Sequence, residues 1–178
     1  MIKRKLKIQG AYLIKLNNKK DSRGSFSRIY CKNNFKKIGV ETKIFQINIS
    51  TTLKKGTVRG FHYQTKKFSE VKRVMVLQGK ICDILIDTRK NSKTFGKKCI
   101  INLSDKKKEI LHIPKGVSHA FQSLVDNTKI IYINDNVYNK KFEKGFNVNS
   151  KNLRASWPLK IKNQSKKDRS LKDWALHL

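Results

Sequence analysis

Acidic residues are scarce in this chain of 178 residues: 12 Asp and Glu stand against 42 Lys and Arg, which gives a formal net charge of +30. Long apolar runs are missing as well, and no stretch approaches the roughly 18 apolar residues that a membrane-spanning helix needs. The first ten residues are basic, and no apolar segment of the kind found in secretory signals follows them. The sequence therefore predicts neither membrane insertion nor secretion.

Cysteine pairs and the spacings of metal knuckles are also absent. The three cysteines, Cys31, Cys82 and Cys99, are odd in number and show no Cys-x-x-Cys spacing, so neither a disulfide framework nor a zinc knuckle is indicated. Unpaired cysteines are typical of a reducing compartment, and we expect a cytoplasmic protein. Glycine-rich phosphate loops, heptads and internal repeats are not found either.

The positive charge comes from 34 lysines and only eight arginines. Readout of base edges and bidentate recognition of phosphate both favour arginine. The lysines are scattered along the whole chain, and Lys, Ile and Asn share A/T-rich codons, so genome composition accounts for much of the excess. We therefore expect no specific nucleic-acid partner, although such a charge attracts polyanions in general.

Hydrophobic residues make up 38% of the chain, which is enough for the core of one folded domain. Between residues 43 and 138 the pattern is one of closely spaced β-rich runs that are separated by tight turns. These runs cover 45–49, 71–77, 80–87, 98–103, 110–113, 119–125 and 128–133. In the first run Phe45, Ile47 and Ile49 alternate with polar residues, which predicts a half-buried strand.

This pattern predicts an all-β domain, either a sandwich or a barrel. We expect a single domain over residues 1–178, with its core at about 21–140 and a polar, basic C-terminal extension at 141–178. The stretch from Ser165 to Leu178 is expected to form a short C-terminal helix.

Two segments resemble the paired half-motifs of the cupin superfamily, which implies a double-stranded β-helix or jelly roll. They are Gly-x5-His-x-Gln at 56–64 and Pro-x-Gly-x-x-His at 114–119. Metal-binding cupins carry His-x-His and a downstream Glu in the first half and another His in the second. This chain has His62, Glu70 and His119, but Gln64 occupies the place of the middle histidine. Because one ligand is replaced, we expect no metal.

Further collinear motifs resemble the dTDP-4-dehydrorhamnose 3,5-epimerase family of cupins. They are DSRGSF at 21–26, QINIS at 46–50, RGFH at 59–62, EVK at 70–72, DTRKNSKTFG at 87–96, PKGVSHAF at 114–121, WP at 157–158 and SKKD at 165–168. The resemblance implies a cofactor-free homodimer that exchanges strands between subunits. It also implies epimerisation of a nucleoside-diphosphate-linked 4-keto-6-deoxyhexose, a step in deoxysugar supply for a surface polysaccharide.

The residue types suit that chemistry. A C4 ketone acidifies the hydrogens on C3 and C5, so epimerisation needs a base on one face, a proton donor on the other and a cation for the enolate oxygen. His62, Tyr132 and Lys72 supply these three groups, and an imidazole with its ordinary pKa of about 6.5 both accepts and releases protons near neutrality. By resemblance, Asp168 holds the His62 ring.

The resemblance also implies a set of substrate-binding residues, namely Arg23, Phe26, Gln46, Asn48, Arg59, His119 and Tyr138. Arg23 and Phe26 would reach the nucleotide from the partner subunit. Three alternative functions stay open at this point: a single-centre epimerase or ketoisomerase, a metal-dependent cupin enzyme, and a non-catalytic jelly roll that binds polyanions, which only the charge favours. An exchange of roles between Tyr132 and Tyr138 also stays open. Arg28 stands where the family often has an acidic residue, which leaves the nucleotide base open.

Overall fold

The computed structural model describes residues 1–40, 42–153 and 155–175, and within them two antiparallel sheets pack against each other as a jelly roll. Its strands are β1 (Ile2–Lys5), β2 (Tyr12–Lys15), β3 (Asn18–Asp21), β4 (Gly24–Ser27), β5 (Gln46–Thr52), β6 (Val58–Gln64), β7 (Lys72–Gln78), β8 (Lys80–Asp87), β9 (Lys98–Ser104), β10 (Glu109–Ile113), β11 (Val117–Ser123), β12 (Thr128–Asn134) and β13 (Glu143–Gly145). The helices are α1 (Lys32–Lys37) and α2 (Lys166–Arg169), with 3-10 turns at Lys66–Phe68 and Lys140–Phe142.

The first sheet has the strand order β1-β2-β10-β7-β12-β5, and the second has the order β13-β6-β11-β8-β9. A separate hairpin of β3 and β4 stands outside both sheets. The prediction of an all-β double-stranded β-helix with a short C-terminal helical segment is confirmed. The first sheet begins with β1 and β2, ahead of the 21–140 segment that the sequence marks as the core, and β13 from the extension completes the second sheet.

The main core lies between the sheets, where the inward residues of both alternate with outward ones. Val74 and Leu111 of the first sheet meet Leu85 and Phe121 of the second, and all four are fully buried. Because β-branched and aromatic side chains pack well on a pleated half-buried surface, these runs form strands. The result is a rigid frame whose strand ends position the side chains of the site.

The C-terminal extension covers the outer face of the second sheet. Phe146 stacks on Phe61 of β6 with ring centroids 4.8 Å apart, and Trp174 packs on Phe146 at 4.6 Å. This packing brings α2 back against β6. The extension is therefore the element that carries Asp168 to the strand of His62.

Strand β5 departs from its predicted environment. The alternation predicts the strand correctly, but Phe45, Ile47 and Ile49 are 51%, 57% and 66% exposed in the single chain. The reason is that β5 is the edge strand of its sheet and turns its polar face, with Ser50, toward a pocket. We call Phe45, Ile47 and Ile49 the β5 apolar stripe.

The C-terminal helical segment is shorter than the sequence suggests, because α2 contains four residues. The Ser165 hydroxyl accepts a hydrogen bond from the Asp168 N–H and caps the helix. After the helix the backbone pairs with the 147–150 loop instead of with itself: Asn147 N–H donates to the Lys172 carbonyl, and Trp174 N–H donates to the Ser150 hydroxyl. Residues 176–178 lie outside the described part of the chain.

No helix of the described residues is long and apolar enough to cross a membrane.

Candidate active site

An open pocket of about 440 Å³ lies at one end of the sandwich. Arg59 and His62 reach it from β6, Tyr132 from β12, and Lys167 and Asp168 from α2. A small cavity of about 10 Å³ adjoins His62 and is also lined by Glu70, Lys72 and His119. The predicted catalytic residues are thus gathered at one place, although they are spread over more than 100 positions in the chain.

His62 is positioned by close packing of β6 on β11. Gly60 has φ +121°, and a Cβ at this position would lie 2.5 Å from the Ala120 Cβ, so only glycine permits the approach. In this register His62 lies directly opposite His119. The imidazole is thereby fixed between the two strands at the edge of the pocket.

Asp168 holds one side of the His62 ring. Its Oδ1 lies 2.8 Å from His62 Nε2, and its Oδ2 accepts a 3.5 Å contact from the Gly60 N–H. Burial opposes ionisation of this carboxyl, but the hydrogen bonds from His62 and the backbone outweigh it and lower the pKa of Asp168. Because an ionised carboxylate accepts the Nε2 proton, the lone pair of the neutral ring is on Nδ1.

A second carboxylate, Glu143, faces the other ring nitrogen, with Oε1 3.9 Å from His62 Nδ1. Its Oε2 accepts hydrogen bonds from the Tyr138 hydroxyl at 2.8 Å and from the Lys167 ammonium. Burial opposes its ionisation, but these bonds prevail and lower the pKa of Glu143. Burial and the bond to Glu143 raise the pKa of Tyr138 to about 12. Sequence reasoning predicted Tyr138 here but missed Glu143 and Lys167.

Tyr132 and Lys72 come from the opposite sheet. The Lys72 ammonium lies 5.8 Å from the centre of the Tyr132 ring, and Lys72 pairs in register with Asn134, two residues beyond Tyr132 on β12. Burial, together with the charge of Asp83, raises the pKa of Tyr132 well above its ordinary value. The phenol therefore carries its proton at neutral pH.

His119 is buried beside Asp83, with Nδ1 3.2 Å from a carboxylate oxygen. Burial lowers the pKa of His119, although Asp83 opposes this, so the ring is neutral at physiological pH. Sequence reasoning missed Asp83. The signal for it was available, since it is the single acidic residue inside the apolar run of β8 from residue 81 to 86.

The remaining predicted substrate-binding residues fall into two groups. Arg59 lines the pocket and is held by the Thr52 hydroxyl and the Thr51 carbonyl, each at 3.2 Å, while Gln46 and Asn48 share the Ser50 face of β5. The hairpin of β3 and β4 carries the other two. Its Arg23 side chain is 88% exposed and paired with Asp21, and Phe26 is also exposed. Within one chain these two do not join the pocket.

The potential metal ligands have other partners. His62 is bonded to Asp168, His119 to Asp83, and Glu70 to Asn134. Among the described residues, no group of three or more His, Cys, Asp and Glu side chains is arranged to hold a metal ion. All three side chains line the small cavity that Lys72 also lines, and each is bonded to the partner named above.

Comparison with known proteins agrees with this arrangement. The family model of dTDP-4-dehydrorhamnose 3,5-epimerase matches residues 5–175. The chain is 35% identical over 149 residues to the dTDP-4-dehydrorhamnose 3,5-epimerase of Shigella flexneri, an alignment that covers 83% of this chain and 82% of the relative.

Two crystal structures of such enzymes superpose closely. The Bacillus anthracis enzyme with TDP and PPi bound is 32% identical with a TM-score of 0.94, and the match covers 97% of this chain and 99% of that one. The Legionella pneumophila enzyme in complex with dTDP-4-keto-L-rhamnose is 29% identical with a TM-score of 0.90, covering 97% and 92%. The chain therefore belongs to the dTDP-4-dehydrorhamnose 3,5-epimerase family of sugar-nucleotide epimerases.

Proposed function

We propose that this protein epimerises a nucleoside-diphosphate-linked 4-keto-6-deoxyhexose at C3 and C5, with His62 as the base and Tyr132 as the proton donor. The observation that carries the proposal is the placement of these two side chains on different sheets of one pocket. Inversion of a carbon requires that the proton leaves from one face and returns to the other, and groups on two sheets can address opposite faces of a sugar bound between them.

In the proposed reaction the Nδ1 lone pair of His62 takes the proton from the carbon next to the ketone. The electrons of the broken C–H bond form a C=C bond with the former carbonyl carbon. This gives the enolate of the sugar, in which the carbonyl oxygen carries negative charge. Asp168 stabilises the resulting imidazolium through the 2.8 Å contact at Nε2. The Lys72 ammonium stabilises the enolate oxygen, and the Tyr132 hydroxyl protonates the carbon from the other side and becomes a phenolate. Proton exchange with solvent then reprotonates the phenolate and removes the proton from the imidazolium before the next turnover.

The charges around the pocket favour an anionic substrate. Arg59 presents its guanidinium at the pocket, and a planar guanidinium is suited to the oxygens of a diphosphate. The Bacillus and Legionella relatives were crystallised with TDP and with a dTDP-linked sugar. We therefore propose the dTDP-linked form as the first substrate to test, with a CDP-linked form as the comparison for the base.

We further propose that the protein is a homodimer in which the β5 apolar stripe is covered by a second copy. An exposed apolar edge strand is unfavourable in a monomer, and the hairpin with Arg23 and Phe26 stands outside both sheets of its own chain. Ile47→Asp should shift the protein from dimer to monomer in light scattering, while Ile100→Asp on the far edge strand β9 should not. A monomeric wild-type protein would contradict the proposal.

We propose the cytoplasm as its compartment. Cys31, Cys82 and Cys99 are all free thiols, and a reducing environment keeps thiols free. Alkylation of the freshly purified, denatured protein should modify all three cysteines. Disulfide-linked protein under the same conditions would contradict this placement.

The test of the activity is proton NMR of the dTDP-linked 4-keto-6-deoxy sugar in D₂O. The wild-type protein should replace the hydrogens on C3 and C5 with deuterium, and His62→Asn should lose both exchanges by about 10²–10⁴-fold, as expected for removal of a general base. The matched control is His112→Asn, because His112 is also buried but lies against Tyr12, away from the pocket. Exchange at one carbon alone would identify a single-centre epimerase, and wild-type exchange in His62→Asn would refute the assignment.

A further inference from the structure

The mechanism proposed above leaves one buried carboxylate of the site without a role. Glu70 precedes β7, and its side chain is 6% exposed. Its Oε1 lies 3.5 Å from the Lys72 ammonium, and its Oε2 accepts a 2.8 Å hydrogen bond from the Asn134 side-chain amide. Glu70 therefore contacts both the lysine of the proposed reaction and the strand that carries Tyr132.

Burial of a carboxylate is unfavourable unless partners compensate it. Burial raises the pKa of Glu70, and the contacts with Lys72 and Asn134 oppose this shift. The Lys72 side chain is itself only 16% exposed, so the two charges compensate each other in a place that water barely reaches. The adjoining small cavity of about 10 Å³ has room for a single water molecule at most.

We propose that Glu70 is a positioning residue that holds the Lys72 ammonium in the small cavity beside His62, so that the ammonium faces the enolate oxygen as it develops. This inference rests on the role of Lys72 in the proposed function. Glu70 would not touch the substrate, and its effect on the reaction would pass entirely through Lys72.

The other titratable groups around Lys72 are not substitutes for Glu70. His62 and Tyr63 of β6 and His119 of β11 line the cavity that Lys72 also lines, and the Tyr132 ring lies beside it on β12. Burial keeps both His119 and Tyr132 in their neutral forms.

The nearby Asp135 is engaged elsewhere. Its Oδ1 accepts a 2.6 Å hydrogen bond from the Val71 N–H, and its Oδ2 lies 3.6 Å from the Lys115 ammonium. Glu70 is thus the carboxylate that balances Lys72 within the described residues.

The proposal predicts that the pH at which activity falls on the alkaline side depends on Glu70. An ammonium that loses its carboxylate partner in a poorly hydrated site releases its proton more readily, and a neutral amine no longer stabilises an enolate. Neither Tyr138 nor Tyr132 obscures this limb, because the pKa of Tyr138 is raised to about 12 and burial raises that of Tyr132.

The experiment compares Glu70→Gln with the wild type in the deuterium-exchange assay between pH 6 and 10. Glutamine keeps the volume of the side chain and an acceptor for Asn134 and removes only the charge. We expect the alkaline fall of kcat/KM to move to lower pH by about one unit or more, with KM at pH 7 changed less than threefold. Glu70→Asp retains the charge, so its alkaline fall should lie closer to that of the wild type than the fall of Glu70→Gln.

The matched control is Glu109→Gln, the same substitution at the far end of β10, four residues from the Ile113 that pairs with Lys72. Superimposable pH profiles of wild type and Glu70→Gln would overturn the proposal. A second readout separates this outcome from failure of the proposed function. The NMR signals of the Lys72 ε-methylene and amine groups are followed as the pH is raised, without substrate. These signals are assigned by their loss in Lys72→Arg. An unchanged Lys72 titration in Glu70→Gln would overturn the proposal even if the wild type showed no exchange.

Discussion

Replacing Asp168 by asparagine tests the contact on which the proposed base depends. The carboxylate is buried, lies 2.8 Å from His62 Nε2 and is anchored by the Ser165 cap of α2. Asparagine has nearly the same size and can keep an acceptor toward the ring, but it has no charge. The substitution therefore removes the electrostatic part of the contact and leaves the packing in place.

The expected loss follows from the state of His62 after it takes the proton. A hydrogen bond to a charged group contributes about 1.5–3 kcal/mol, and about 1.4 kcal/mol corresponds to a factor of ten in rate. The charge alone thus accounts for a loss of about 10–100-fold. If the amide turns its NH₂ group toward Nε2, the ring is held in the wrong tautomer, and losses of up to about 10⁴-fold follow for such a change. We expect kcat to fall by about 10–10⁴-fold, with KM changed less than threefold.

The assay is deuterium exchange at C3 and C5 under saturating substrate, with thermal unfolding measured in parallel. The control is Asp173→Asn, which removes an exposed carboxylate five residues further along the same segment and should behave as the wild type. A folded Asp168→Asn variant whose kcat remains within threefold of the wild type would refute the role of this contact.

Three further outcomes are expected. Tyr132→Phe should slow net inversion by at least about 10²-fold while deuterium exchange through His62 persists. If Tyr138→Phe shows this behaviour and Tyr132→Phe does not, Tyr138 is the proton donor. Burial opposes ionisation of Asp87, but hydrogen bonds from Arg89, Ser92 and Thr94 outweigh it and lower the pKa of Asp87 from 3.8 to about 2. The ionised carboxylate should therefore contribute about 2 kcal/mol to the free energy of unfolding above pH 4, and this contribution should be lost as the pH falls toward 2. Urea unfolding of the wild type and of Asp87→Asn across this pH range measures the difference. Chelator should leave activity unchanged, and about one Zn, Fe or Ni per chain with chelator-sensitive turnover would favour a metal-dependent enzyme instead.

The strands could be predicted from the sequence because their signal is local. The run at 80–87 coincides with β8, and the run at 71–77 lies within one residue of β7, since a period of two and a tight turn are both visible over a few positions. The pairing of His62 with Asp168 followed from the family resemblance, because 106 residues separate the two and no local pattern connects them.

The parts that the sequence did not predict depend on packing between distant segments. Glu143 reaches His62 because β13 pairs with β6, and Lys167 reaches Glu143 because the extension folds back over that sheet. The alternation in β5 identified which residues share a face, but it did not identify the exposed one. That choice is made by the position of β5 at the edge of the sheet, which is a property of the topology and not of the strand's own residues.

The two-sheet topology explains how one pocket can serve two opposed proton transfers. The proposed base lies on β6 of the second sheet, whereas the proposed donor and the lysine lie on β12 and β7 of the first. Each sheet also supplies a distinct environment: Glu143 and Asp168 face the two ring nitrogens of His62, whereas Tyr132 packs against the apolar core. A base that gains a proton and an acid that gives one up need different surroundings, and the sandwich keeps these surroundings on two sheets of one pocket.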